Sequence, residues 1–225
     1  MSALKLLSAA VNLLLWPAVI LSIGGWQWPE GWVFAAWFVA LCTHTFVWLY
    51  RHNLALLLER YRRPGTGGQN RRDMLVLYLL VLGFIAWIVL MPLDARRFHW
   101  APALPAAVEI IGGVLLLPAW FFVFRAFRDN TFAAALVRIQ AERGHHVIST
   151  GVYAVVRHPM YLGAALMVVG GALLSGSLVA LGVAVVMSLL LAVRVVEEEK
   201  FLARELHGYE EYRRRVRYRL IPYVW

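Results

Sequence analysis

Cysteine and acid are scarce in this sequence. Its 225 residues hold one cysteine, Cys42, and 13 Asp and Glu against 22 Lys and Arg. A lone cysteine cannot close a disulfide within the chain, and it excludes a Cys-based metal site. Histidine does not fill the gap. His44, His52, His99 and His207 are too scattered to read as ligands, no metal-ligand cluster is evident, and no Ser-His-Asp arrangement is present. Charge is sparse as well: 16% of the residues are charged and 61% are hydrophobic. That balance excludes an ordinary soluble domain and points to an integral membrane protein. The formal net charge of +9 comes without a nucleic-acid-binding module, so it reads as loop charge that attracts anionic lipid.

What is abundant is apolar sequence. Runs at roughly 4 to 23, 31 to 50, 74 to 93, 105 to 124, 160 to 175 and 178 to 195 predict an all-α polytopic membrane bundle with five to six transmembrane helices. The first run lacks a small-residue cleavage pattern and is expected to be a retained span. The last two are short and separated by Gly176 and Ser177, so they predict a tight helical hairpin that need not cross fully. Trp26, Trp28, Trp32 and Trp100 near the loop ends are expected at the membrane interface.

Positive charge then sets the expected orientation. With six alternating segments, the loop at 59 to 73, the loop bearing Arg125, Arg128, Arg138, Arg143 and Arg157, and the tail from Arg194 all fall on one side. Arg96 and Arg97 fall opposite. This asymmetry places both termini and the arginine-rich loops in the cytoplasm of a bacterial inner membrane. The tail continues the last apolar segment as a helix, ending in a cytoplasmic C-terminal helix. Arg194 and Glu198 lie four apart on one face of it. Glu197, Glu198 and Glu199 repel one another and call for a positive partner, which a salt-bridge cluster or a cationic ligand would supply.

The stretch His145 to Gly163, HHVISTGVYAVVRHPMYLG, concentrates the chain's polar signals. Gly151 permits a turn. Pro159 pushes His158 toward an extended backbone and starts a helix. Arg157 and His158 therefore stand at a helix N-terminus, where free N–H groups and the helix dipole favour an anion; a juxtamembrane Arg and His meeting lipid headgroups would look the same. The hairpin returns the chain to the side it left, so Arg157 and His158 face Arg194, Glu198 and Glu199. Tyr153, Tyr161, Tyr209 and Tyr212 supply aromatic walls for a pocket there.

These residues carry a resemblance. The run from His145 through GVYAVVRHPMYLG, then Arg194 with Glu198 and Glu199, then GYEEYRRRVRYRLIP at 208 to 222, resembles the isoprenylcysteine carboxyl methyltransferase family of membrane enzymes. Phospholipid N-methyltransferases and small-thiol S-methyltransferases share the C-terminal pattern. The resemblance implies S-adenosylmethionine as cofactor and a lipophilic acceptor such as an isoprenylcysteine carboxylate. It implies a cofactor wrapped by His145, Gly151, Tyr153, Arg157, His158, Pro159, Tyr161 and Gly163. Arg157 and His158 would lie near its carboxylate and the backbone at Gly151 and Tyr153 near its adenosine, while Glu198, Glu199, Tyr209 and Tyr212 close the other side. Arg194 and Glu198 are the expected catalytic pair, Arg194 either holding the acids or clamping an acceptor carboxylate.

On this reading residues 1–140 anchor the chain and select the acceptor, and residues 141–225 form the methyltransferase region. The hairpin's glycines, Gly163, Gly170, Gly171, Gly176 and Gly182, favour close helix approach, and a cleft between the hairpin and the helix at 105 to 124 is the expected lipid portal. A non-enzymatic scaffold would leave the RHP and Glu-Glu motifs without a role. A sterol-type reductase would instead bind a nicotinamide cofactor.

Overall fold

Residues 3–62 and 71–225 are described in this computed structural model, without the side chains of residues 3–10 and 12. The centre of the arginine-rich loop, 63–70, lies outside them. The described chain is helical: α1 (Ala3–Gly24), α2 (Pro29–His52), α3 (Leu54–Arg60), α4 (Arg71–Pro92), α5 (Ala106–Asp129), α6 (Pro159–Leu174), α7 (Leu178–Glu205) and α8 (Tyr209–Arg215). A π-helical stretch, Leu93–Phe98, extends α4. Each of the six apolar runs corresponds to one long helix.

Among the described residues, four helices are long and apolar enough to cross a membrane: Pro29–His52, Arg71–Phe98, Ala106–Asp129 and Leu178–Glu205. The expectation that both arms of the hairpin are short holds for α6 alone. Its 16 residues rise about 24 Å at 1.5 Å each, less than a hydrocarbon core of about 30 Å. The other arm, α7, has 28 residues. Nothing between Leu178 and Glu205 breaks the helical pattern, and Arg194, Glu197, Glu199 and Lys200 find partners, so the helix runs beyond its apolar part.

Consecutive long helices alternate in direction, which gives the bundle two distinct ends. At one end Asp94, 2% exposed, accepts hydrogen bonds from the Ser177 hydroxyl at 2.7 Å, the Val179 N–H at 3.2 Å and the Ala101 N–H at 3.0 Å. Ser177 itself caps α7 by accepting from the Ala180 N–H, satisfying an otherwise orphaned donor of the first turn. Trp28 is at this end too, but in the core at 1% exposure, whereas Trp26, Trp32 and Trp100 are exposed as expected. Gly24 and Gly31 have no side chain to displace its ring, so the indole packs flat on both backbones.

The glycines of the hairpin close a seam rather than open one. A Cβ at Gly112 of α5 would collide with the backbone of Leu174, and one at Gly163 of α6 would lie 2.9 Å from the Val123 nitrogen and 3.0 Å from the Ala119 oxygen. The α5–α6 pairing is the most extensive in the fold. The expected portal between the hairpin and the helix at 105 to 124 is therefore closed by backbone contact. Below it, Phe34, Trp87, Ile88, Met91, Val168 and Ala184 build the main core.

Candidate active site

At the other end of the bundle, Pro159 does what its chemistry dictates. It is the first residue of α6, and it holds His158 out of the helical conformation. The backbone of Arg157 and His158 is paired by the C-terminal tail: the Arg157 N–H donates to Tyr218 O at 3.0 Å and the His158 N–H to Arg219 O at 2.9 Å. A parallel bridge between Val156 and Tyr218 extends the contact. The N–H groups expected to hold an anion at these two residues are thus occupied by the tail.

Their side chains converge on Glu199 of α7, which is 2% exposed. Arg157 Nε donates to Oε1 at 2.6 Å, His158 Nε2 lies 3.2 Å from the same oxygen, and Arg219 Nε donates to Oε2 at 2.9 Å. Arg157 Nη1 also donates to the carbonyls of Val216 at 2.5 Å and Arg217 at 2.8 Å. A buried carboxylate so surrounded is a lock between α6, α7 and the tail. Arg219 was not singled out from the sequence. Its partner lies 20 residues earlier, and only the fold of the tail brings them together.

Arg194, 5% exposed, pairs elsewhere. Its Nε donates to Asp73 Oδ1 at 3.1 Å, its Nη2 to Ala135 O at 2.6 Å, and its guanidinium stands 5.9 Å from the centre of the Tyr161 ring. Asp73 was also missed: inside an arginine-rich loop it reads as minor charge, and its partner is 121 residues away.

Beside these pairs lies an open-mouthed cavity, with about 750 Å³ of empty space when the mouth is counted. Of the residues singled out from the sequence, His145, Tyr153, Arg157 and His158 line it, as do Tyr161, Glu198, Tyr209 and Tyr212. Gly151, Pro159, Gly163, Arg194 and Glu199 are not on its wall. Gly151 serves the loop instead, at φ +60° and with its Cα against the Asp129 carboxylate; Asp129 Oδ2 accepts from the Val152 N–H at 3.0 Å. The sequence reading did not anticipate the wall contributed by Asn130, Phe132, Ala133, Ala134 and Leu136, an irregular segment with no periodic signal.

The electrostatics of the wall are uneven. Arg138 is neutralised by Glu59 at 2.6 Å and by Glu142, and that contact holds the Glu142 carboxyl down at about 2. Arg157 is neutralised by Glu199. Glu198 is the exception, because among the described residues its carboxylate accepts one hydrogen bond, from the neutral Tyr161 hydroxyl at 2.6 Å. Burial lowers the His145 pKa to about 4, so the ring is neutral at pH 7; it stacks on Phe132 at 4.4 Å and its Nδ1 accepts from the Gln140 N–H. Burial also raises Tyr153, Tyr209 and Tyr212, keeping their hydroxyls protonated. No group of three or more metal-binding side chains occurs among the described residues.

Protein-S-isoprenylcysteine O-methyltransferase B of Arabidopsis thaliana is 31% identical to this chain over 150 residues, covering 65% of this chain and 72% of the relative. The chain belongs to the isoprenylcysteine methyltransferase family. The phospholipid methyltransferase family pattern matches residues 108–208, from the first turn of α5 to the glycine before α8. The fold agrees: a solved structure of the eukaryotic intramembrane Ras methyltransferase ICMT covers 96% of this chain and 75% of that one at a TM-score of 0.54 and 19% identity. A Delta(14)-sterol reductase of Mus musculus is also 31% identical over 165 residues, 66% of this chain, but the chain spans 39% of that protein's length. This family member therefore shares sequence with a reductase as well as with methyltransferases.

Proposed function

We propose that this membrane methyltransferase transfers a methyl group from S-adenosylmethionine to a lipophilic acceptor of the isoprenylcysteine carboxylate kind. The observation that carries the reading is Glu198, an ionisable side chain on the cavity wall beside Tyr161, while the arginines on that wall, Arg138 and Arg157, each contact another acid. A cavity whose wall carries a carboxylate that, among the described residues, is in direct contact with no arginine, beside neutral aromatic side chains, suits a ligand that carries positive charge and a flat ring.

The cofactor, when bound, supplies a methyl group activated by a sulfonium. Glu198 would face its positive charge, and Tyr153, Tyr209, Tyr212, His145 and Phe132 would offer flat apolar surfaces to the adenosine. The lock at Glu199 holds Arg157 and His158 in the wall, and Arg194 with Asp73 acts behind Tyr161 as a positioning pair. Aligning the partners and excluding water supplies most of the rate in such a displacement. A carboxylate acceptor is ionised at neutral pH and needs no general base, whereas a phospholipid amine or a small thiol must first lose a proton. Residues 141–225 would hold most of the cofactor, with 130–138 completing the wall and the remaining helices anchoring the chain and meeting the acceptor. The arginine bias would place the cavity and both termini in the cytoplasm, the bilayer delivering the acceptor.

Calorimetric titration of the detergent-solubilised protein with S-adenosylhomocysteine tests the reading. Binding is expected, and Glu198→Gln should weaken it by roughly thirty-fold to several-thousand-fold, the cost of about 2 to 5 kcal/mol for losing one charged partner in a secluded site. The stretch shared with the sterol reductase supports a competing reductase reading. Binding of NADPH with no response to S-adenosylhomocysteine would establish that reading instead.

A further inference from the structure

Arg60, the last residue of α3, stands near the cavity without an acid partner among the described residues, as does Arg143, whose donors go to Gln140 and Thr131. Arg138, Arg157 and Arg194 each face a carboxylate; no carboxylate forms an ion pair with Arg60 among the described residues. The stretches outside that description, residues 1–2 and 63–70, contain no Asp or Glu, nor do residues 3–10 and 12. Its Nη1 donates to Ala133 O at 3.3 Å and its guanidinium lies 4.1 Å from the centre of the Phe127 ring. Those contacts use one of five N–H donors.

The side chain also points somewhere useful. Ala133 and Met160 belong to the cavity wall and to the apolar cluster of Leu49, Leu56, Leu57 and Phe127. Arg60 thus stands where the cavity meets the apolar cluster that packs α2, α3 and α5 together. An arginine with no other purpose would extend its head to water, but this one turns inward onto a cavity residue. Burial lowers its pKa to about 10, which leaves it charged at neutral pH. A half-buried cation with open donors has the chemistry of a carboxylate receptor.

We infer that Arg60 binds the carboxylate of the lipophilic acceptor on the membrane-facing side of the cavity. This rests on the methyltransferase reading and deepens it by naming the residue that recognises the acceptor's acid. Arg194, occupied by Asp73, leaves that role open. With its acid on Arg60, the acceptor would lay its hydrocarbon along the apolar side chains of α2 and α5, away from the sealed α5–α6 seam.

The test titrates a farnesylated cysteine acid, its uncharged amide and phosphatidylethanolamine into protein saturated with S-adenosylhomocysteine, for the wild type, Arg60→Gln and Arg60→Lys. The wild type should prefer the acid to the amide by about thirty-fold or more. Arg60→Gln should abolish that preference, Arg60→Lys should keep part of it, and S-adenosylhomocysteine affinity should stay unchanged in both variants, which also reports that they are folded. An acid preference that survives in Arg60→Gln would overturn the inference, as would a wild type that does not distinguish acid from amide. Loss confined to phosphatidylethanolamine would assign Arg60 to a headgroup phosphate and overturn the carboxylate assignment. Failure of the wild type to bind S-adenosylhomocysteine would instead remove the methyltransferase reading on which the inference rests.

Discussion

The two ends of the bundle each bury a carboxylate to the same extent, Asp94 at one and Glu199 at the other, both 2% exposed, and they treat it differently. Asp94 is held by neutral donors: a serine hydroxyl and two backbone N–H groups, one of them in the first turn of α7. Its charge complements the positive end of that helix, so the arrangement is complete in itself. Glu199 is held by Arg157 and Arg219, with His158 beside them. One acid therefore serves two guanidinium groups, and two of its partners, Arg157 and His158, continue into the cavity wall. An acid met by neutral dipoles closes a turn, whereas an acid met by more than one cation ties separate segments together and shapes a site.

That comparison breaks or sharpens by removing each acid. Glu199→Ala leaves the buried Arg157 and the half-buried Arg219 without their counter-charge, and breaking a buried pair from one side, as at Arg157, costs about 3 to 5 kcal/mol. A large fall in the thermal midpoint in detergent is expected, together with weaker S-adenosylhomocysteine binding. A variant that melts normally and still binds would show that the lock is not needed. Asp94→Ala should cost less, about 1 to 3 kcal/mol for donors left unsatisfied, and ligand affinity should not change because the cavity is at the other end. Weakened binding in this variant would mean that the two ends are coupled, and the distinction would fail.

The same contrast explains what the sequence made legible. The six long helices could be read because the hydrophobic run that makes a span is local, and Pro159 announces the start of α6 within a few residues. The meeting of Arg157 and His158 with Glu199 followed from topology, since a hairpin must return to its own side. Arg219, Asp73 and Arg60 were not legible. Each acts through an irregular segment or a contact distant in sequence: the tail that pairs with Arg157 and His158, the start of α4 and the short helix α3. Trp28 was misplaced for a related reason. Hydropathy puts a loop-end tryptophan at the interface, while the two glycines that admit it to the core are visible only in three dimensions.

The smallest expected effect comes from His145, whose half-buried ring lies between Phe132 and the Gln140 backbone and whose Nδ1 accepts the Gln140 N–H at 3.2 Å. Burial is the main reason its pKa falls from 6.5 to about 4. Between those two values the unfolded chain takes up a proton that the folded chain refuses, so this residue's contribution is complete above pH 6.5 and declines as the pH is lowered toward 4. Protonation also converts the Nδ1 acceptor into a donor facing another donor. Thermal midpoints of the wild type and His145→Asn, measured from pH 7.5 down to about 4.5, isolate this effect from the carboxylates that titrate in both proteins. The wild-type midpoint should fall more steeply across the window, with the two curves nearest to parallel above pH 6.5. Curves parallel throughout would mean that the ring is protonated in the folded chain as readily as in the unfolded one, and that the neutral face assigned to His145 in the cavity wall is wrong.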